Sequence, residues 1–200
     1  MCGIVGVFHF ERDRPVDAAR LERQLDTIIH RGPDGGGIWI GDGVGLGHRR
    51  LSIIDLSGGA QPMFDLTGRY VTTFNGEIYN YRELREELAG RGHHFRSDSD
   101  TEVLLAAYAE WGEACLDRFN GMFAFAVHDR REHRLFLARD RVGKKPLYVY
   151  RDEGRVVFAS ELKAIAADPM VPRRIDATSV ADYCAMGYVP APKTMRPSSR

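Results

Sequence analysis

Strand-forming segments occupy both ends of this sequence, and helix-forming segments occupy its middle. Residues 3–10 form an apolar run rich in β-formers, which predicts a buried strand directly after the N-terminus. From residue 122, turn residues separate four further predicted strands, MFAFAVHD, RLFLARD, PLYVYR and RVVFAS. Predicted helices cover residues 16–29, 80–88, 101–111, 161–167 and 177–186. This order indicates an α+β protein with largely antiparallel sheets and helices packed outside them.

Composition excludes several classes of function. The chain has 200 residues with 28 Lys and Arg against 28 Asp and Glu, so it lacks the basic surplus of a nucleic-acid-binding domain. No apolar run approaches the roughly 18 residues of a membrane span. Cys2, Cys115 and Cys184 form neither a disulfide framework nor a metal-binding pair, so we expect a cytoplasmic protein. Their apolar neighbours predict that Cys115 and Cys184 are buried.

Cys2 is the main candidate for chemistry. Removal of Met1 would make Cys2 the first residue, and its own α-amino group could then act as the base. The reference pKa of an α-amino group is about 7.7–8.0, so a useful fraction is neutral at physiological pH. Such an N-terminal nucleophile needs no His or Asp for activation. By position alone, a small hydrophobe that opens a core strand is the more frequent role, by about two to one.

Asn75 and Gly76 are the second candidate pair. They follow the predicted strand YVTTF and precede a segment with helical pattern. Attack on an amide creates an oxyanion, and an Asn amide with a Gly N–H would supply two donors to it. Asn-Gly is also the commonest signal of a two-residue turn. A hairpin is less convincing here because the following residues do not resemble a returning strand.

Two charged residues suit the two charged ends of an amino acid. Arg50 can bind a carboxylate bidentately, and its alternative role is a solvated surface charge. Asp100 can pair with an ammonium group, and its alternative role is a helix cap or first-turn carboxylate. Asp98 and Ser99 compete for the cap, so Asp100 is not uniquely needed there.

Two further segments carry weaker signals. HRGPD, residues 30–34, is either a loop that borders a site or a helix stop. ARDRVGKKPLY, residues 138–148, reads as a charged turn held by salt bridges between two strands. Ser57-Gly58-Gly59 lacks the Asp-Ser of a pyrophosphatase-type nucleotide loop, so we predict no nucleotide site there.

The motifs MCGIVGVF, HRGPDGGG, HRRLSIIDL, GAQP, FNGEIYN, SDTE, GMFAFAVHD, ARDRVGKKPLY and FASELKA occur in this order. Together they resemble the N-terminal glutaminase domain of class II glutamine amidotransferases, of the glutamine-hydrolysing asparagine synthetase type. The resemblance extends to about residue 167. It implies the N-terminal nucleophile hydrolase fold, an αββα four-layer sandwich of two largely antiparallel sheets.

The resemblance also implies a role for each candidate residue. Cys2 is the nucleophile, and Asn75 and Gly76 form the oxyanion hole. Arg50 binds the α-carboxylate of glutamine, while Glu77 and Asp100 help to fix its α-amino group. The pocket is lined by the backbone of Leu51, Ser52, Ile53 and Ile54. The implied reaction hydrolyses L-glutamine to glutamate and ammonia through a Cys2 thioester, with no cofactor or metal in this domain.

For the domain organisation, we expect the glutaminase domain over residues 1–186. Residues 187–200 would then be a linker or the truncated start of a missing synthetase domain. The implied partners are L-glutamine and a synthetase domain in the same protein, with a homodimer left open; neither nucleic acid nor membrane is expected. ATP and magnesium are expected only in the missing domain. The alternatives are an inactive regulatory or scaffold remnant, or the glutaminase half of an amidotransferase with a non-aspartate acceptor.

Overall fold

The computed structural model describes residues 2–51, 59–173 and 176–190. Within these residues the chain forms the strands β1 (Gly3–His9), β2 (Gly35–Gly41), β3 (Val44–Arg50), β4 (Met63–Phe64), β5 (Tyr70–Ile78), β6 (Gly121–Asp129), β7 (Arg134–Arg139), β8 (Tyr148–Arg151) and β9 (Arg155–Ala159). The α-helices are α1 (Ala18–Asp26), α2 (Tyr81–Gly90), α3 (Asp100–Trp111), α4 (Leu162–Ala166) and α5 (Ala177–Met186). None of these helices is long and apolar enough to cross a membrane.

The strands form two antiparallel sheets. The first sheet has the order β2-β3-β1-β9-β8, and the second has the order β4-β5-β6-β7. β1 is the central strand of the first sheet, paired with β3 on one side and β9 on the other. All seven of its residues are buried, which explains why the run from Gly3 to Phe8 is apolar throughout rather than alternating.

Three apolar clusters define four layers. The inner cluster lies between the sheets and includes Ile4, Leu46, Val71 and Phe158. Val5 and Val7 point to the opposite face of β1 and pack with apolar residues of α1 and α4. On the outer face of the second sheet, side chains of β5 and β6 pack against α2 and α3. The order helix, sheet, sheet, helix confirms the predicted αββα sandwich.

The predicted elements were largely correct, and their differences from the structure have physical causes. The helix predicted over residues 16–29 is shorter, because Asp17 caps α1 and the chain turns after Asp26. Asn75 and Gly76 lie inside β5, paired with Ala124 and Phe123, so the turn interpretation is wrong. Burial of Cys184 was also predicted wrongly: it is exposed on α5, whereas Cys115 is fully buried.

Candidate active site

One cavity of about 110 Å³ opens where the two sheets meet beside the start of β1. Its lining contains seven of the predicted site residues: Cys2, Arg50, Leu51, Asn75, Gly76, Glu77 and Asp100. The remaining three, Ser52, Ile53 and Ile54, lie outside the described residues. The structure therefore brings together residues from β3, β5, α3 and the position before β1.

Cys2 is held from two sides. The Leu51 N–H donates to its Sγ at 3.4 Å, and the thiol donates to the Leu51 carbonyl oxygen at 3.6 Å. The Arg31 Nε donates to the Cys2 carbonyl oxygen at 2.9 Å. Cys2 nevertheless stays partly exposed, so its sulfur is fixed in position and still accessible from the cavity.

Arg31 is itself anchored by a carboxylate. Its Nη1 donates to Glu161 Oε1 at 3.1 Å, and His30 and Lys163 contact the same carboxylate. Burial raises the pKa of Glu161, but hydrogen bonds from these three side chains outweigh burial and lower it to about 2. Gly32 follows directly, and a Cβ there would collide with the backbone between Arg49 and Arg50. The HRGPD segment is thus packed against the end of β3, and its Arg31 is hydrogen-bonded to the backbone of Cys2.

Asn75 presents a buried amide to the cavity. It is 1% exposed, and its Nδ2 has no hydrogen-bond partner among the described residues. An unpaired buried N–H group costs about 1–3 kcal/mol, so a bound ligand that accepts a hydrogen bond from Asn75 Nδ2 would recover that cost. Its side chain shares the inner face of β5 with Val71 and Thr73, and so faces the first sheet, which carries Cys2.

Gly76 supplies a second donor through its backbone. N–H groups of alternate residues point to the same side of a strand. The Phe74 N–H donates to Gln61 Oε1 at 2.6 Å, and the Ile78 N–H donates to Asp100 Oδ2 at 3.0 Å. The Gly76 N–H points to this same edge, which β4 leaves uncovered because it pairs only with Val71 and Thr72. A Cβ at residue 76 would collide with the Met122 carbonyl oxygen, so only glycine fits.

Asp100 is a buried carboxyl group at the start of α3. Ser99 takes the cap position and accepts the Thr101 N–H, so Asp100 is not the cap. Burial raises the pKa of Asp100 to about 6. Hydrogen bonds from the backbone of Ile78 and Thr101 oppose that rise, and the neighbouring charge of Glu77 adds to it. A cationic ligand group would relieve the repulsion between these two carboxylates.

The cavity lining also contains eight residues that were missed as site residues, among them the polar residues His48, Gln61 and Lys145. His48 is 1% exposed, and its Nε2 donates to the Phe74 carbonyl oxygen at 3.1 Å, which ties β3 to β5. Burial lowers the pKa of His48 to about 4, so the ring is neutral at physiological pH. Gln61 links Phe74 to Thr101 through its two amide atoms. These three polar residues lie in the motifs HRRLSIIDL, GAQP and ARDRVGKKPLY, but only the fold places them at the cavity.

The turn that carries Lys145 differs from the predicted salt-bridge corner. The Asp140 carboxylate accepts the N–H groups of Lys144, Lys145 and Phe123 at 2.9–3.2 Å. These bonds lower the pKa of Asp140 although burial raises it. Lys145 is left 6% exposed in the lining of the cavity, opposite in charge to Asp100. Among the described residues, no cluster of three or more His, Cys, Asp or Glu could hold a metal ion.

The sequence of this chain is similar to those of known asparagine synthetases. The chain is 42% identical over 196 residues to asparagine synthetase [glutamine-hydrolyzing] 3 of Bacillus subtilis. This alignment covers 97% of this chain and 32% of that protein. It is 42% identical over 167 residues to asparagine synthetase B of Escherichia coli, covering 82% of this chain and 30% of that protein. The chain thus spans about a third of the length of these relatives.

Solved structures agree on the fold. Glutamine phosphoribosylpyrophosphate amidotransferase from B. subtilis superposes with a TM-score of 0.66 at 21% identity, over 84% of this chain and 43% of that one. A structure described as the allosteric regulatory enzyme of purine biosynthesis superposes with a TM-score of 0.69 at 22% identity, over the same shares of both chains. The family model for the glutamine amidotransferase domain matches residues 1–198, and the chain belongs to this family.

Proposed function

We propose that this domain hydrolyses the side-chain amide of L-glutamine to glutamate and ammonia through a thioester on Cys2. The observation that carries the proposal is the unpartnered buried Nδ2 of Asn75, which lines one cavity with Cys2 and the open N–H edge at Gly76. A nucleophile and two oxyanion donors in one cavity are the parts that acyl transfer requires.

The reaction follows from these positions. After removal of Met1, the α-amino group of Cys2 takes the thiol proton, and Sγ attacks the amide carbon. The oxyanion that forms is held by Asn75 Nδ2 and the Gly76 N–H. The protonated amine then gives its proton to the departing ammonia, and water attacks the thioester to release glutamate. The Leu51 N–H, 3.4 Å from Sγ, also stabilises negative charge on the sulfur.

Charges of both signs suit the zwitterionic end of glutamine. Arg50 and Lys145 line the cavity as cations, and Glu77 and Asp100 line it as carboxyl groups. In this proposal Arg50 binds the α-carboxylate, Glu77 and Asp100 fix the α-amino group, and the backbone of residues 51–54 completes the pocket. A ligand that lacks either charged group forgoes the charge-assisted hydrogen bonds at that end of the cavity, which gives selectivity.

The ammonia would pass to an ATP-dependent synthetase domain. The relatives that match this chain are named asparagine synthetases and are about three times longer. We therefore propose that residues 1–186 form the glutaminase domain of such a protein in the cytoplasm. Residues 187–200 would lead into the partner domain, which uses ATP and magnesium. The end of α5 at Met186, followed by Gly187 with φ of +77°, agrees with a boundary there.

Alkylation by a diazoketone analogue of glutamine tests the proposal. The chain is incubated with the analogue, intact mass is measured, and peptides are mapped. We expect one adduct on Cys2 in Met1-free protein, with glutamate release abolished in Cys2→Ala. Cys184→Ala is the matched control, because Cys184 is an exposed thiol outside the cavity, and it should keep both properties. Folded, Met1-free protein without an adduct would instead favour the scaffold alternative.

A further inference from the structure

A second cavity, of about 230 Å³, lies at the other end of β1 from Cys2. It is bounded by the last residues of β1, the loop before α1 and the side of α1. Its polar lining contains His9, Arg14, Asp17, Arg20, Arg155 and Asp168. None of these residues takes part in the proposed glutamine chemistry, and β1 separates the two cavities by roughly 20 Å at about 3.3 Å per residue.

Arg155 is the most deeply buried cation of this cavity, at 4% exposure. Its Nη1 donates to Asp168 Oδ2 at 2.7 Å, and its Nε donates to Asp152 Oδ2 at 3.3 Å. Its Nη2 is buried and has no partner among the described residues. A guanidinium group presents its donors in a rigid plane, so the orientation fixed by the two aspartates also fixes the direction of Nη2.

Two further buried nitrogen atoms in the lining lack hydrogen-bond partners among the described residues. They are Arg20 Nε and His9 Nδ1. Arg20 Nη1 lies 3.7 Å from Asp168, and its Nε lies 3.8 Å from Asp17, beyond hydrogen-bond range. His9 is 6% exposed; burial, then Arg14 and Arg155, lower its pKa, so its ring is neutral, and Nδ1 is a donor in the tautomer that carries the hydrogen there.

Three buried nitrogen atoms of this lining, Arg155 Nη2, Arg20 Nε and His9 Nδ1, have no acceptor among the described residues. Asp168 is nearly fully buried and already accepts from Arg155, while Asp17 caps α1 through Arg20 N. The formal charges around the cavity balance: Arg14, Arg20 and Arg155 face three carboxylates, Asp17, Asp168 and, behind Arg155, Asp152. An anion would therefore be attracted by the unpaired N–H groups rather than by net charge. Only a group rich in acceptors satisfies several such donors at once, and an anionic oxygen does so most strongly.

We propose that this cavity binds a small oxyanion, a carboxylate or a phosphate, between Arg20, Arg155 and His9. The volume accommodates such a group together with several waters, at about 30 Å³ of liquid volume for each water. Because the formal charges balance, we expect a dissociation constant in the millimolar range.

Amide-resolved NMR titration of the 200-residue chain tests this site. Inorganic phosphate is added at fixed ionic strength, and shifts are followed for the amides of α1 and of Gly154 and Arg155. Saturable shifts are expected. Arg20→Gln should weaken binding about tenfold, the usual loss of a hydrogen bond to a charged group. Arg14→Gln should weaken phosphate binding as well, because Arg14 also lines the cavity. Since Arg14 is exposed, this variant keeps the test valid if Arg20→Gln fails to fold.

Arg23→Gln is the matched control, because Arg23 is exposed on the same helix and does not line the cavity. Its affinity should change by less than about twofold. Acetate that competes with bound phosphate would identify a general oxyanion site, and phosphate binding without competition would identify a phosphoryl site. Shifts that never saturate, or equal weakening by Arg20→Gln and Arg23→Gln, would overturn the proposal.

Discussion

Asp100→Asn separates the stability of this fold from its proposed function. The Asp100 side chain is 8% exposed, and burial raises its pKa from 3.8 to about 6. One pKa unit corresponds to about 1.4 kcal/mol, so the ionised carboxylate lowers the free energy of unfolding by about 3 kcal/mol above pH 7. Asparagine keeps an oxygen that can accept the Ile78 N–H but carries no charge.

The pH dependence has a defined sign. Below the ordinary pKa of 3.8 the carboxyl group is neutral in the folded and unfolded chains, and it does not affect stability. Between pH 3.8 and about 6 the folded chain holds a proton that the unfolded chain has lost, so stability falls as pH rises. Asp100→Asn should therefore be more stable than the parent at pH 8, by up to about 3 kcal/mol, and nearly equal to it at about pH 4.

Urea unfolding at both pH values and glutaminase kinetics at pH 8 are the assays. The KM for glutamine should rise by about tenfold or more in Asp100→Asn, because the substrate ammonium loses its charged partner. Asp98→Asn is the control, since the neighbouring Asp98 side chain is 93% exposed and should leave stability and KM unchanged. A variant less stable than the parent at pH 8, or one with unchanged KM, would refute the reasoning.

Three further substitutions probe the site. Asn75→Ala should lower kcat for glutamine by about 10²–10³-fold. Asn80→Ala removes the hydrogen bonds of the Asn80 side chain to the backbone near β6, and it should lower the urea midpoint instead. Gly76→Ala should cost about 1–3 kcal/mol in urea unfolding because its Cβ meets the β6 backbone, while Gly35→Ala meets no atom within 4 Å and should be nearly neutral. Glu161→Gln should slow diazoketone labelling of Cys2 severalfold with little change in thermal midpoint, because it loosens the arginine that holds the Cys2 carbonyl.

Local pattern was enough to locate most elements. The predicted helix over residues 177–186 matches α5 (Ala177–Met186), and the one over residues 101–111 begins one residue earlier in the structure. Asn75-Gly76 shows where local pattern fails. Its turn propensity is overridden by pairing with β6, a strand more than forty residues later in the chain. The residues next to Asn75 and Gly76 carry no information about that pairing. The requirement for glycine at residue 76 also comes from β6, because its backbone would collide with a Cβ there.

The residues of the candidate site likewise fall into those that the sequence could indicate and those that only the fold brings to the cavity. Cys2, Arg50 and Asp100 could be named as candidates from the sequence because each side chain suits one part of a glutamine ligand, and the family resemblance then favoured these roles over their structural alternatives. His48 and Lys145 could not, since a histidine or lysine acquires its position only when strands from different parts of the chain meet. The exposure of Cys184 has a related cause: apolar neighbours predict burial only if another element covers that face of α5, and Tyr183 beside it is half exposed.

The position of Cys2 suits its proposed use as a catalytic N-terminal residue. Chain ends usually fray, and a mobile amine could not act as a base at a defined distance. Here the terminus continues directly into β1, which is central, buried on both faces and paired on both edges. His48 and Thr73 hydrogen-bond across the two sheets, at 3.1 Å each, and so fix the proposed oxyanion donors on β5 relative to the sheet that carries Cys2. The apolar run that first predicts a buried strand is therefore also what makes an N-terminal nucleophile geometrically possible.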